Sequence, residues 1–164
     1  MTNPRIEAQM RIDTPLGPLT LAATARGLAG AWFDGQKHHP GPIAAPENPK
    51  HPHLAQAARE LSAYWRGEPA RFTVPIDAEG TAFQQSVWKA LRQIAPGRRQ
   101  TYGEIAGRIG RPEAARAVGA AVGRNPVSVV VPCHRVVGSD GSLTGYAGGL
   151  ERKRALLALE GSAA

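Results

Sequence analysis

The chain changes character once, at residues 77–80, and that change constrains the fold more than any other feature. Before it, short apolar stretches at 9–13, 19–23 and 28–33 are cut by the turn residues Pro15-Leu16-Gly17-Pro18 and Arg26-Gly27. Stretches of that length between such breakers predict strands of an antiparallel meander. Residues 34–52 are rich in Pro, Gly and His and read as a loop. Leu54, Ala58, Leu61 and Trp65 recur at helical spacing, which predicts an amphipathic helix over 53–66. Residues 72–76 are a further strand candidate. After residue 80 the pattern is helical. The expected organisation is a first domain over 1–80 and a second over 81–164.

Two helix starts in the second half are written into the sequence. Thr81-Ala82-Phe83-Gln84 has the form of a capping box, in which hydroxyl and amide satisfy free backbone N–H groups at a helix start. Phe83, Val87, Leu91 and Ile94 then fall on one face. Thr101-Tyr102-Gly103-Glu104 is a second box, opening a short helix that stops near Gly110. Pro112 suits the first turn of the next helix and Gly123 its end. Two short helices joined by a tight turn form a helix-turn-helix candidate. Residues 113–122, the second of the pair, are almost all small, so that helix can lie very close to a surface. Its one long base, Arg116, points to backbone contact or to insertion into a base stack rather than to major-groove reading.

Charge follows the same division. Residues 1–82 carry 8 Lys or Arg and 8 Asp or Glu, whereas 83–164 carry 12 and 5, which supplies the whole net charge of +7. A cationic half beside a neutral one fits a polyanion partner, nucleic acid above all. No apolar run approaches a membrane span, and the first residues lack the apolar core of a signal peptide. Four of the five histidines, His38, His39, His51 and His53, crowd the loop without a Cys or carboxylate at ligand spacing, so they read as a solvated loop and not a metal site.

Cys133 is the only cysteine, which rules out an internal disulfide and any multi-cysteine zinc site and fits a reducing cytoplasm. It sits in Pro132-Cys133-His134-Arg135-Val136-Val137. Residues 129–131 read as a short strand that Pro132 ends, because proline has no N–H for a ladder. A thiol at a strand end, with His134 and Arg135 beside it to favour the thiolate, is a candidate nucleophile. Adjacent side chains on a strand point to opposite faces, so His134 would need a turn or a bridging water to act on it. Glu160 follows the apolar residues of a last helix over 150–160. A carboxylate at a helix C-terminus opposes the macrodipole, so it gains nothing locally: it is either a solvent-exposed tail residue or has a partner elsewhere, with His134 the candidate.

Taken together these residues resemble the O6-alkylguanine-DNA alkyltransferases, also called methylated-DNA–protein-cysteine methyltransferases. The resemblance runs from about residue 81 to 161. It rests on Phe83-Gln84-Gln85 with Val87-Trp88, Thr101-Tyr102-Gly103-Glu104-Ile105-Ala106, Ala114-Ala115-Arg116-Ala117-Val118-Gly119, Arg124-Asn125-Pro126, the Pro-Cys-His-Arg-Val run, Gly145-Tyr146 with Gly148-Gly149, and Leu156-Leu157 through Glu160-Gly161. The N-terminal part is similar, more loosely, to the family's ribonuclease-H-like domain. The fold implied is α/β of the α+β kind: an antiparallel sheet with a helix, then a mostly helical unit carrying the helix-turn-helix.

The resemblance also implies roles. Cys133 would accept an alkyl group from O6-alkylguanine, and from O4-alkylthymine as well, irreversibly and once per molecule. His134 would act as base through a water and Glu160 would orient it. Asn125 would brace the turn before the active-site strand. Tyr102 would donate to N3 of the leaving guanine. Arg116 would fill the gap left by a flipped base, with Ala115 and Gly119 beside it on the DNA face. Arg135 would add to the DNA contact. The Ala147 N–H would face O6, the Cys133 and Val136 carbonyls would accept from the exocyclic amine, and Tyr146 would wall the pocket. Family members often carry serine where this chain has Ala147; only the backbone N–H is needed there. No cofactor and no metal are implied; the zinc-binding cysteines that some relatives carry in the first domain are missing. The expected partner is double-stranded DNA carrying the lesion, with no membrane and no obligatory protein partner, the protein acting as a cytoplasmic monomer. A helix-turn-helix transcription factor and a thiol hydrolase are the rival readings: the first leaves Cys133, His134 and Glu160 unused, the second leaves the basic half unexplained.

Overall fold

The structure is a computed structural model that describes residues 3–68 and 71–161. The outermost residues of the two expected domains, 1–2 and 162–164, lie outside that description. Two compact units divide the chain, Met1–Glu79 and Gly80–Ala164. No helix among the described residues is long and apolar enough to cross a membrane.

The first unit is the expected meander. Strands β1 (Ala8–Ile12), β2 (Leu19–Ala23) and β3 (Leu28–Phe33) pair antiparallel in chain order, with Met10 opposite Leu21 and Leu21 opposite Ala31. Helix α1 (Pro52–Trp65) follows. Its buried residues are Leu54, Ala57, Leu61 and Tyr64, so the apolar stripe is turned by one position from the one the spacing predicts, and Ala58 and Trp65 sit at its edge. Tyr64 wins the inward place by packing on Phe72, ring centroids 5.6 Å apart. Each fully buried leucine of this stripe contributes roughly 2 kcal/mol.

Two expectations for this unit need correction. Residues 72–76 do not form a strand; only Ile76 bridges to Leu28. Pro75 has no N–H, and the N–H groups of Thr73 and Val74 go instead to the Glu60 carboxylate, both at 3.1 Å. The loop after β3 is not merely solvated. Gln9 Nε2 donates to the carbonyls of Ile43 (2.8 Å) and Ala45 (2.7 Å), and the Gln9 backbone exchanges bonds with Pro46 and Asn48. Among the described residues no cluster of His, Cys, Asp and Glu could hold a metal.

The second unit is built from α2 (Ala82–Leu91), β4 (Gln100–Thr101), α3 (Tyr102–Arg108), α4 (Ala115–Gly123), β5 (Val136–Val137) and α5 (Leu150–Leu159). Both capping boxes are complete, Thr81 with Gln84 and Thr101 with Glu104. Gly110, φ +78°, lets the chain leave α3. Helix α4 begins at Ala115, not in the turn at Pro112-Glu113, and its N-cap Ala114 offers no side-chain cap. Unforeseen in the sequence is a parallel pair of two-residue strands, Gln100 beside Val136 and Thr101 beside Val137. It ties the start of α3 to the segment just after Cys133.

Residues 129–131 are not a strand. Residues 127–131 are buried throughout but coil into a turn, with Val131 N bonded to Val127 O at 3.0 Å and Val129 at φ +72°. A β-branched residue in the left-handed region costs about 1–3 kcal/mol. Burying its side chain offsets that cost, and Asn125 staples the turn from inside.

Candidate active site

The site grows from that strained turn. Asn125 accepts from Val127 N at 3.0 Å and donates Nδ2 to Val131 O at 2.9 Å, so one buried amide holds both ends. The chain then passes Pro132 into a single 3-10 turn, Cys133–Arg135, before β5. Cys133 and His134 thus lie on a tight turn, which removes the opposed-face geometry expected of neighbours on a strand. Cys133 is 4% exposed and His134 wholly buried.

His134 Nε2 lies 2.8 Å from Glu160 Oε2, with Glu160 at the C-cap of α5. The same carboxylate takes a two-pronged bond from Arg135, Nε to Oε1 at 2.9 Å and Nη2 to Oε2 at 2.7 Å. Burial pushes the Glu160 pKa up, but the hydrogen bonds from His134 and Arg135, together with the Arg135 charge, outweigh it and hold the group at about 2. An ionised carboxylate only accepts, so Nε2 carries the proton. Burial drives the His134 pKa down against the pull of Glu160, which keeps the ring neutral. Nδ1 is then an unprotonated acceptor, buried and with no hydrogen-bond partner among the described residues. A neutral imidazole oriented by a carboxylate, with its other nitrogen bare, has the form of a general base.

Arg135 is placed otherwise than the sequence suggests. It is 5% exposed, its third nitrogen donates to Ile94 O at 2.6 Å, and its charge is spent on Glu160. Its guanidinium is therefore engaged inside the unit, and the charge favouring a thiolate comes from elsewhere. Burial pushes the Cys133 thiol up; a hydrogen bond from Asn125 and the positive charge of Lys153 pull it down. Lys153 is wholly buried, and its Nζ donates to Thr144 O at 3.1 Å. Burial lowers its pKa to about 8, against the attraction of Cys133 and with help from the repulsion of Arg99. A lysine in the arginine-rich start of α5 reads as a surface cation. The missed signal is its spacing: Lys153 stands three and four residues before Leu156 and Leu157, on the same buried face.

Four of the expected base-binding residues, Tyr102, Ala115, Arg116 and Gly119, lie on a second group of elements in the same unit. A cavity of about 440 Å³ is lined by Tyr102 and its neighbours Thr101 and Gly103, by Ala115, Arg116 and Gly119 of α4, and by Ser139. Arg116 is exposed. Gly119 faces the Tyr102 ring, where even a methyl group would touch at 3.7 Å. Ser139 was not foreseen; it lies just past the run that β5 ends. Cys133 is not part of this wall. The two groups meet through Thr144, whose Oγ1 is 2.7 Å from the Tyr102 hydroxyl while its carbonyl holds Lys153. Tyr146 and Ala147 are half-buried in the loop before α5. A Cβ on Gly148 would come within 2.6 Å of the Tyr146 ring, so glycine there sets the ring's place. The Cys133 carbonyl already accepts from Val136 N–H and keeps one lone pair. Val136 is buried in β5.

A buried cysteine with a neutral histidine and an ionised carboxylate behind it, in a basic helical unit following a small antiparallel sheet, defines a class of cysteine-centred transfer proteins. Two family models match the chain. The model of the 6-O-methylguanine DNA methyltransferase DNA-binding domain matches residues 82–162, and that of the same proteins' ribonuclease-like domain matches 10–78. The methylated-DNA–protein-cysteine methyltransferase of Mycobacterium tuberculosis is 50% identical over 153 residues, 93% of this chain and 92% of its own. That of Methanosarcina acetivorans is 49% identical over 151 residues, 92% of this chain and 96% of its own. The crystal structure of M. tuberculosis OGT in complex with DNA superposes with a TM-score of 0.87 at 48% identity, covering 94% of this chain and 93% of that one. This chain belongs to the methylated-DNA–protein-cysteine methyltransferase family.

Proposed function

We infer that the chain repairs alkylated DNA by direct reversal, moving the alkyl group from O6 of guanine to Sγ of Cys133. The observation that carries the reading is the pairing of His134 with Glu160 behind the only cysteine, which leaves Nδ1 as a bare acceptor. In the reaction, Nδ1 takes the thiol proton through a water. The Sγ–C bond forms as the C–O6 bond breaks, and the electron pair leaves on guanine. Tyr102 donates to N3 of that leaving base. Lys153 offsets the charge on sulfur before attack. The product is a thioether with no good leaving group, so each molecule acts once.

Residues 81–164 would carry both DNA contact and chemistry, and residues 1–80 would form the companion domain. Duplex DNA is the partner, with Arg116 entering the stack as the damaged base swings out and Ala115 and Gly119 letting α4 approach. Ser139 joins this surface. We place Tyr146, the Ala147 N–H and the Val136 carbonyl around the extruded base. O4-alkylthymine is a second substrate, and the protein works as a cytoplasmic monomer without cofactor.

The test is duplex DNA carrying guanine with a labelled O6-methyl group. Transfer of one label per chain to protein supports the reading. Label released as methanol would indicate a thiol hydrolase, and label retained on DNA despite binding would indicate a transcription factor.

A further inference from the structure

We propose that Thr144 is a positioning residue for the leaving-group side of the reaction, acting through its hydroxyl on Tyr102. Two hydroxyls 2.7 Å apart share one hydrogen bond, so one of the two protons is engaged and the other is free. Thr144 Oγ1 has no other hydrogen bond among the described residues, and neither does the Tyr102 hydroxyl. The Thr144 backbone is fixed independently, because its carbonyl accepts from the buried ammonium of Lys153 at 3.1 Å. Thr144 is therefore tied through its carbonyl to Lys153 and through its hydroxyl to Tyr102.

That arrangement permits a donor exchange. When a base with an unprotonated ring nitrogen enters the cavity, Tyr102 turns its O–H to that nitrogen. Thr144 then donates to the Tyr102 oxygen. As Sγ–C forms and C–O6 breaks, negative charge builds on the purine, and Tyr102 O–H stabilises or transfers its proton to the ring nitrogen. Any charge left on the phenol oxygen is met by the Thr144 O–H. Thr144 itself does not line the cavity, so it works through Tyr102 and not on the substrate. The same residue links the lysine beside the nucleophile to the phenol beside the leaving group.

This inference rests on the alkyl-transfer reading, and the experiment separates the two. The first-order rate of Cys133 alkylation at saturating free O6-benzylguanine, and the concentration giving half that rate, are measured for wild type, Thr144→Val, Thr144→Ser, Tyr102→Phe and the double variant Tyr102→Phe with Thr144→Val. Valine keeps the shape and removes the hydroxyl. Thr144→Val should lower the saturated rate about tenfold, the order expected for one hydrogen bond lost from the transition state, with little change in half-saturation. Thr144→Ser should recover most of the rate. In the Tyr102→Phe background Thr144→Val should cost nothing further. Additive losses, or a wild-type rate for Thr144→Val, would overturn the proposal for Thr144 while leaving alkyl transfer intact. A wild-type protein that takes no alkyl group would overturn the underlying reading instead.

Discussion

His134 Nε2 and Glu160 Oε2 stand 2.8 Å apart, and the same carboxylate closes a two-pronged bond with Arg135. Glu160 is thus shared between the histidine that serves the cysteine and the arginine that anchors the turn. Glu160→Gln should do two things at once. It should lower the rate of Cys133 alkylation by free O6-benzylguanine, because the imidazolium loses its counter-charge. It should also destabilise the fold by roughly 3 kcal/mol, because it leaves the Arg135 charge buried and unpaired. An amide keeps the shape and some of the hydrogen bonding of Glu160, which by itself predicts only a mild folding cost; the buried Arg135 charge makes it larger. Paired rate and urea-unfolding measurements check both; a wild-type rate would leave Glu160 a purely structural group.

Acid should remove this contribution with a defined sign. Glu160 has a folded pKa of about 2 against an ordinary 4.5, so its stabilisation is complete above pH 4.5 and lost as pH falls toward 2. The loss is roughly 3 kcal/mol across that window. Urea midpoints between pH 6 and pH 2 should fall more steeply for wild type than for Glu160→Gln. Parallel curves would mean that Glu160 titrates normally.

Lys153→Met separates stability from reactivity. Methionine fills the volume of the buried stem without the charge. Because burial holds the lysine pKa at about 8, the charge is a cost to folding near neutral pH, and the variant should be at least as stable as wild type. Its alkylation rate should fall, and the rising limb of its rate–pH profile should move to higher pH, since Lys153 pulls the thiol pKa down. An unmoved profile would take Lys153 out of the chemistry.

What the sequence disclosed, and what it hid, follows the range of the forces involved. The capping boxes at Thr81 and Thr101 were legible because each closes within four residues. The contact between Glu160 and His134 was legible because a carboxylate at a helix C-terminus has no local use. The turn at Val129 was not, since valine argues for strand and only the buried staple from Asn125 overrides it. The ledge of chain held by Gln9 was hidden because its partners lie more than thirty residues away. Arg135 and Lys153 both read as surface cations, yet packing draws both inside, so the outward charge of the second half is smaller than its composition suggests.

Arg116 stands exposed on α4 and lines the cavity. Arg116→Ala should reduce repair in duplex DNA by at least about tenfold, since an extruded base costs a few kcal/mol of stacking. Reaction with free O6-benzylguanine should barely change. Equal losses with both substrates would place Arg116 in the chemistry or the fold and not in base extrusion.

The most direct measurement is peptide mass spectrometry after mixing the protein with a duplex holding a single O6-methylguanine. The expected result is one added methyl group, confined to Cys133, matched mole for mole by restored guanine in the DNA. Cys133→Ser should bind the duplex and leave its methyl group in place, because a hydroxyl is a far weaker nucleophile near neutral pH. Methyl on any other residue, or guanine restored in the presence of Cys133→Ser, would contradict transfer to Cys133.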